Sequence, residues 1–275
     1  MILGEVFSRS RKFINKILWI AFIPIILDLA QLFAYLYIYK TDYTPVTQIF
    51  TLKVGIISSP PSVDFLLGDF PSVIFQYNSS GLKGIINEIT LFNVFFMLTF
   101  MLIISFVHSG YLSVLGAKPD SNIFIKDFFI LGNKNWFKFF ILHIIQFIPM
   151  SLMLINKNFM WLAFLNVIFF YVDFSIVIDE GKLWNNFKKG ISFLFSNLGL
   201  SIKMAFYFGF IFSLLSLVVY ALAKLSVVGI IIDITIMAYF GAAVNRAVLE
   251  VYSTVNEDKT TSSQIGQVFV GGIKE

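Results

Sequence analysis

Six long stretches of this chain are almost free of charged residues, and shorter polar segments separate them. The stretches span residues 17–39, 89–115, 136–155, 159–178, 198–223 and 225–252. An α-helix needs about 20 residues to cross the hydrocarbon core of a bilayer, and a backbone in hydrocarbon has to satisfy its own hydrogen bonds. The pattern therefore predicts an all-α, polytopic membrane helix bundle with six transmembrane helices.

The connections between these spans predict how the helices are arranged. Residues 156–158 join spans three and four, and Lys224 separates spans five and six, so we expect tight hairpins and three hairpins in all. Residues 2–17, 123–137 and 183–198 place apolar residues at helical spacing with basic or Asn residues between them. Such basic amphipathic helices lie in the membrane interface. We expect three elbow helices that form one cytoplasmic collar, each leading into an odd-numbered span.

The segment between spans one and two is of a different kind. Residues 40–88 are too long for a simple connector and too apolar for a disordered linker. The stretch before Pro60 shows strand-like alternation, and the stretch after Pro61 predicts a short helix. We expect an extracytoplasmic cap on the membrane surface or over the bundle, and the alternative is an ordered loop with a structural role only. Residues 1–252 then form one transmembrane domain, and residues 253–275 form a polar cytoplasmic tail.

The basic residues predict the orientation in the membrane. Fifteen lysines and arginines fall on one side of the predicted membrane. They lie before span one, at the connections between spans two and three and between spans four and five, and at the end of the chain from Arg246 onward. Five lie in the other connections. The positive-inside rule then places both termini in the cytoplasm. We expect a multi-pass protein of the bacterial cytoplasmic membrane whose partner is the lipid bilayer, with no nucleic acid bound. Because the chain has no cysteine, disulfides and thiolate metal sites are excluded.

Small residues at helical spacing predict where helices approach each other closely. One stripe lies on span five, and a similar face on span six includes Gly241. The stripe consists of Ser201, Ala205, Gly209 and Ser213. We expect spans five and six to contact each other, and the alternative is a face for homo-oligomers.

Polar residues within the spans are the candidates for chemistry. They are Asp28, Gln31, His108, His143, Gln146, Asp173, Asp233 and Arg246. His108, His143 and Asp173 each lie six or seven residues from a cytoplasmic helix end, so they share a depth of about 10 Å. They could bind a metal or relay protons, or they could hold the helices together by mutual hydrogen bonds. Because no local ligand motif is present, we predict no metal and no other cofactor.

The most distinctive local pattern lies in residues 171–197. An apolar span ends at the acidic pair Asp179-Glu180, and Trp184, then Lys188-Lys189, then Ser196-Asn197 follow. This pattern resembles poorly characterised bacterial six-helix membrane proteins, including the membrane domain fused to some glycerophosphoryl diester phosphodiesterases. Gly190 stands where that pattern usually has Ser, and its frequent Pro before the acidic pair is absent. The resemblance implies a six-helix fold rather than an activity.

Local enzyme motifs are missing from the sequence. There is no Gly-x-Ser-x-Gly elbow, no Gly-Lys-Ser phosphate loop and no Gly-x-Gly-x-x-Gly. We therefore expect a non-enzymatic, transport-type or transport-accessory bundle in which Asp28 and the His108, His143 and Asp173 group line a polar interior. The competing interpretation is a membrane scaffold or a subunit that binds a membrane protein partner. A third is a lipid-modifying intramembrane enzyme that uses the histidines.

Overall fold

The computed structural model of the chain describes residues 2–40, 43, 52–71, 76–78, 81–83, 90–155, 162, 164–179 and 181–271. A short 3-10 turn, Leu18–Ala21, leads into the second helix. The helices and strands are α1 (Leu3–Lys16), α2 (Phe22–Tyr39), α3 (Asp64–Leu67), β1 (Gln76–Asn78), β2 (Gly81–Lys83), α4 (Leu91–Leu115), α5 (Ile125–Ile155), α6 (Phe164–Ile178), α7 (Leu183–Ser196), α8 (Leu198–Ala223) and α9 (Ser226–Gly271).

Four helical segments are long and apolar enough to cross a membrane. They are Leu18–Ile38, Leu91–Leu115, Leu198–Ala223 and Ser226–Glu257. They coincide with predicted spans one, two, five and six, and they leave large apolar side chains such as Phe95 and Phe206 exposed. An exposed apolar surface of this kind fits a lipid environment. The apolar helices thus support an all-α, membrane-embedded protein.

The other two predicted spans correspond to α5 and α6. The apolar part of α6, Leu165–Ile178, is shorter than a spanning helix. The connection from α5 to α6 at residues 156–161 lies outside the described residues. Six spans in three hairpins therefore stays a prediction, although α8 and α9 do pack together across a short turn at Lys224.

Two of the three predicted elbow helices are confirmed as separate helices. α1 packs against α9, burying Val6 and Ile14 while Arg11 and Lys12 stay exposed, and α7 packs against α6. The third prediction is wrong, because residues 123–137 do not form a helix of their own. They lead into and form the first part of α5, which continues past Trp136 to Ile155 and contains Pro149 near its end. One end of the bundle is formed by α1 and by the last turn of α4, and we call it the basic end.

The residues that carry the family resemblance build a corner between α6 and α7. The Asp179 carboxylate accepts hydrogen bonds from Ser175 (2.9 Å), Lys189 (2.7 Å) and the Tyr252 hydroxyl of α9 (2.6 Å). The Asn186 amide donates to the carbonyl oxygens of Ser175 and Asp179, each at 2.9 Å. These bonds satisfy the last carbonyl groups of α6, which have no partner within the helix. The pattern therefore encodes a helix corner.

Gly190 lets the two helices of this corner approach closely. A Cβ atom at residue 190 would lie 2.7 Å from the backbone of Val172 on α6. A residue with a side chain, such as serine, would therefore need a wider crossing of α6 and α7.

Residues 52–71, which we call the inserted segment, enter the bundle. The segment runs extended along α8, passes through Pro60 and Pro61, forms the short helix α3 and turns at Gly68, whose φ is +74°. An extracytoplasmic cap at residues 40–88, on the membrane surface or over the bundle, stays a prediction. The inserted segment itself bonds to α2, α4, α8 and α9. The predicted short helix is confirmed, although it covers only Asp64–Leu67. β1 and β2 form a small antiparallel hairpin.

The small-residue stripe of α8 faces the inserted segment. The Lys53 N–H donates to Ser213 Oγ (2.8 Å), and the Gly55 N–H donates to the Ala205 carbonyl (3.2 Å). At Gly209 a Cβ would overlap the Lys53 carbonyl oxygen, and at Gly241 of α9 it would overlap the Pro61 ring. α8 and α9 contact each other as predicted, but these small residues make room for a third element, the inserted segment.

We predict that Gly209→Ala destabilises the protein, because the added methyl group would overlap the backbone of the inserted segment. Overpacking of this kind costs about 1–3 kcal/mol. The matched control is Gly199→Ala on the same helix, where an added Cβ meets nothing within 4 Å, and its melting temperature should stay equal or rise slightly. Thermal unfolding in detergent, followed by tryptophan fluorescence, measures both. Equal melting temperatures for the two variants would contradict the packing described.

Candidate functional site

Polar side chains from three helices hold the backbone of the inserted segment. A non-helical backbone at membrane depth exposes groups that lipid cannot satisfy, so protein groups have to do so. The contacts run from the Val63 N–H to Asp28 Oδ2 of α2 (2.7 Å), from His108 Nε2 of α4 to the Ser58 carbonyl, and from Asn245 Nδ2 of α9 to the Ser59 carbonyl (2.8 Å). Pro60 and Pro61, between these contacts, have no N–H to satisfy.

These contacts lie deep along the apolar helices. Asp28 is the eleventh residue of the apolar segment Leu18–Ile38, which has 21 residues. His108 is seventeen residues beyond Leu91, which corresponds to about 25 Å of helix. The contacts of the stretch from Ser58 to Val63 therefore lie between the middle of the Leu18–Ile38 segment and a level about 10 Å from the Leu115 end of α4.

The two histidines form a hydrogen-bonded chain that ends on the inserted segment. Ser105 Oγ lies 2.8 Å from His143 Nδ1, and His143 Nε2 lies 3.1 Å from His108 Nδ1. Because the Ser58 carbonyl only accepts, His108 Nε2 must carry the proton of that ring. With one proton on each ring, His143 Nε2 then donates to His108, and His143 Nδ1 is left as an acceptor. The one hydroxyl proton of Ser105 has two acceptors within reach, His143 Nδ1 and the Met101 carbonyl.

This arrangement bears on the metal interpretation of the histidines. Every ring nitrogen of His108 and His143 already has a hydrogen-bond partner. Within the described residues, no three His, Asp or Glu side chains come together in a way that could hold a metal ion. The pair therefore supports the inserted segment.

Asp173 of α6 also faces the inserted segment, but its carboxylate is incompletely satisfied. The Ser58 side chain is a hydrogen-bond partner of Asp173. Asp173 is only 2% exposed, and its Oδ1 atom has no hydrogen-bond partner among the described residues. A buried carboxylate oxygen without a donor is costly unless a proton, a cation or water compensates it. Asp173 therefore has one carboxylate oxygen with the capacity to bind something else.

A cavity of about 420 Å³ adjoins Asp173. Its polar lining comes from α5, α6 and the inserted segment, and its remaining wall is apolar, with Phe100, Ile104 and Phe170 among its members. The polar residues are Ser58, His143, Gln146, Asn166 and Asp173. The cavity thus combines one carboxylate with several polar groups, and no lysine or arginine is among the described residues that line it.

A second cavity, of about 410 Å³, lies on the other face of the inserted segment. Asp28, Gln31, Ser59 and Ser62 provide its polar lining, and apolar residues of α2 and α4 complete it. Ser58 lines the first cavity, residues 59–62 line the second, and Phe100 and Ile104 of α4 line both. Each cavity has one buried aspartate. We call residues 58–62, together with these two side chains, the partition between the cavities.

The outer part of the inserted segment is anchored separately. The Tyr220 hydroxyl of α8 donates to the Leu67 carbonyl at 3.0 Å, and the Tyr43 hydroxyl donates to Asp69 at 2.8 Å. Burial, and then the hydrogen bond to Asp69, raises the pKa of Tyr43 above its ordinary value. Tyr43 therefore stays protonated and keeps its role as a donor. Leu66 is fully buried beneath this anchor.

The structure divides the predicted site residues into four groups. His108, His143 and Asp173 do meet, through Ser58, with Gln146 in the lining of the same cavity, and Asp28 with Gln31 lies across the partition. Asp233 is buried on α9, with neither carboxylate oxygen bonded within the described part of the chain, and it lines neither cavity. Arg246 belongs to the basic end, where it donates to the Ala117 carbonyl at 2.8 Å.

Sequence reasoning missed the serines that connect these groups. Ser58, Ser59 and Ser62 surround the two prolines in an otherwise apolar loop, and Ser105 lies one turn before His108. A small polar cluster at Pro60-Pro61 was the available signal. It indicates backbone that needs partners, but it does not tell which helices provide them.

We predict that Asp28→Ala lowers the thermal stability in detergent, since the buried Val63 N–H would lose its acceptor. Leaving such a group unsatisfied costs about 1–3 kcal/mol. Asp28→Asn is the control, because its amide oxygen can still accept the hydrogen bond, and it should melt close to the wild type. A comparable loss in both variants would show that the negative charge matters rather than the hydrogen bond.

Comparison of the chain with family models, with curated proteins and with solved structures finds no match. The resemblance of residues 171–197 to six-helix membrane proteins therefore remains an expectation. What the protein does has to be inferred from the geometry of the inserted segment and the two cavities.

Proposed function

We propose that this is a transport-type membrane protein that binds a cation, or a small polar solute that carries a proton, at Asp173. One observation supports this most strongly: Asp173 is buried beside a cavity of about 420 Å³ while its Oδ1 has no partner in the described part of the chain. A carboxylate that only held helices together would be expected to have its oxygens bonded to those helices. Here one oxygen is available to a ligand.

The lining of this cavity favours a positively charged or neutral ligand. Among the described residues that line it, the ionisable groups are Asp173 and His143, and both ring nitrogens of His143 are engaged. Gln146 and Asn166 add amide groups that can orient a polar solute. The cavity volume is in the range that accommodates small molecules, and an anion would meet a carboxylate with no counter-charge.

The inserted segment gives this proposal its transport character. In membrane transporters, non-helical backbone lies near the midplane and takes part in binding the substrate. Here the partition lies between the cavity at Asp173 and the cavity at Asp28. We propose that a shift of this partition connects the two cavities and passes a ligand from one aspartate to the other.

The scaffold interpretation remains the alternative function, and Asp28 and His108 fit it. Both bond to the backbone of the inserted segment, as they would in a purely structural bundle. Asp173 distinguishes the two functions, because its free oxygen serves no structural purpose among the described residues. A partner-binding subunit would tolerate the loss of that charge.

We further propose that the protein lies in a bacterial cytoplasmic membrane with six spans and both termini in the cytoplasm. The basic residues at α1, at the turn after α4 and at α7 support this orientation. Reporter fusions after residue 120, after residue 185 and at the C-terminus should give a cytoplasmic signal. A fusion near residue 60 should give an external signal. A cytoplasmic signal near residue 60 would rule out the proposed topology.

We predict that Asp173→Asn removes solute or cation movement while leaving the fold intact, since the variant keeps the shape but loses the charge. The measurement is uptake into proteoliposomes under an imposed gradient of protons, sodium or potassium. Wild-type protein should exceed empty liposomes for at least one ion, and Asp173→Asn should lower that flux about tenfold or more. Asp120→Asn, the same change at an exposed turn residue, is the control.

Two outcomes would contradict the transport proposal. Wild-type flux equal to that of empty liposomes for every ion would remove its basis. Full flux in Asp173→Asn would show that the carboxylate is not the binding group. Either result would leave the scaffold function as the better account of the bundle.

A further inference from the structure

A cleft of about 470 Å³ opens at the basic end, far from the two inner cavities. Five cationic side chains line it: Arg9, Lys12, Lys16, Lys118 and Arg246. They come from α1, from the turn after α4 and from α9, so residues distant in sequence converge here. Two carboxylates, Glu250 and Glu257, also line the cleft, and Arg9 already pairs with Glu250 at 2.6 Å. The lining keeps a marked positive excess.

Arg246 shows that the cleft is built rather than an accidental gathering of surface lysines. Its side chain is buried, with its Nη1 bonded to the carbonyl oxygens of Leu115 and Ala117 and its guanidinium carbon 4.2 Å from the centre of the Phe13 ring. Its Nε has no hydrogen-bond partner within the described residues. A buried, fixed guanidinium with an unused donor is suited to an anionic oxygen.

The position of the cleft along the helices indicates where the anion comes from. Lys16 lies two residues before the start of the apolar segment at Leu18, and Gly116 directly follows the one that ends at Leu115. These ends mark the boundary of the hydrocarbon core, where lipid headgroups lie. Phe13, Ile178 and Leu249 form an apolar part of the lining, which suits the beginning of an acyl chain.

We propose that this cleft binds the phosphate-bearing headgroup of an anionic phospholipid. Lys12 and Lys118 lie on facing elements at its rim and attract the phosphate, while Arg246 provides the fixed donor below. The site is independent of the transport proposal, since it shares no lining residue with either inner cavity. It would tie α1, α4 and α9 together through a lipid.

The test is lipid binding by native mass spectrometry of the full chain released from detergent micelles. Phosphatidylglycerol and phosphatidylcholine are titrated separately, with the wild type, with Lys12→Gln/Lys118→Gln and with the control Arg11→Gln/Lys126→Gln. The control removes two exposed charges outside the cleft lining. Phosphatidylglycerol should bind the wild type more tightly than phosphatidylcholine. The cleft variant should weaken its binding about tenfold or more, since a basic residue near a headgroup contributes about a factor of five.

A further arm separates a lipid headgroup from free phosphate. Inorganic phosphate at about ten times the lipid concentration should not displace phosphatidylglycerol, because it lacks the apolar contacts. Displacement would show that a soluble phosphate is the better ligand and would overturn the lipid assignment. An equal loss of binding in the control would show that the effect comes from the general surface charge of the protein. That result would overturn the site itself.

Discussion

The fold depends on satisfying the backbone of a non-helical segment at the depth of the spanning helices. Each unsatisfied N–H or carbonyl in lipid costs several kcal/mol, so residues 52–71 can lie there only if other groups bond to them. Asp28, His108 and Asn245 do so from three helices, and Ser213 does so where the segment begins its path along α8. Removing the segment would in turn leave these polar side chains without partners. Loop and helices are therefore interdependent.

The same requirement explains why the helices are not uniformly apolar. Small residues at Gly209 and Gly241 make room for the segment, and two adjacent prolines remove N–H groups at its deepest part. The histidine chain fixes His108 in the tautomer that can donate to Ser58. Asp173 differs from these residues because its unused oxygen is not explained by support of the segment. The functional proposal depends on this difference: the other residues support the segment, whereas one oxygen of Asp173 has no such role.

Much of the architecture follows from the sequence, because hydrophobic runs of spanning length have few alternative structures. Spans one, two, five and six and the elbows α1 and α7 agree with the structure. The elbow expected at residues 123–137 does not, since amphipathic spacing alone does not show whether a helix continues through Trp136. The sequence also identified Asp28, His108 and Asp173 as buried groups in need of partners.

The partners themselves could not be predicted. Hydrophobic periodicity does not distinguish a loop that covers a bundle from one that enters it, because both bury apolar side chains. The stripe around Gly209 likewise indicates a close approach but not the approaching element. Ser58 pairs with His108 over 50 residues, and Lys53 pairs with Ser213 over 160. Contacts of such separation are set by the tertiary fold.

Hydrogen exchange of the backbone amides in residues 52–67 tests the central claim most directly. In protein reconstituted in lipid nanodiscs, we expect these amides to exchange as slowly as those in the middle of α8, because Lys53, Gly55 and Val63 donate hydrogen bonds inside the bundle. A loop that lay over the bundle would exchange within seconds. Rapid exchange throughout residues 52–67 would contradict the inserted segment, the partition between the cavities and the transport proposal that depends on it.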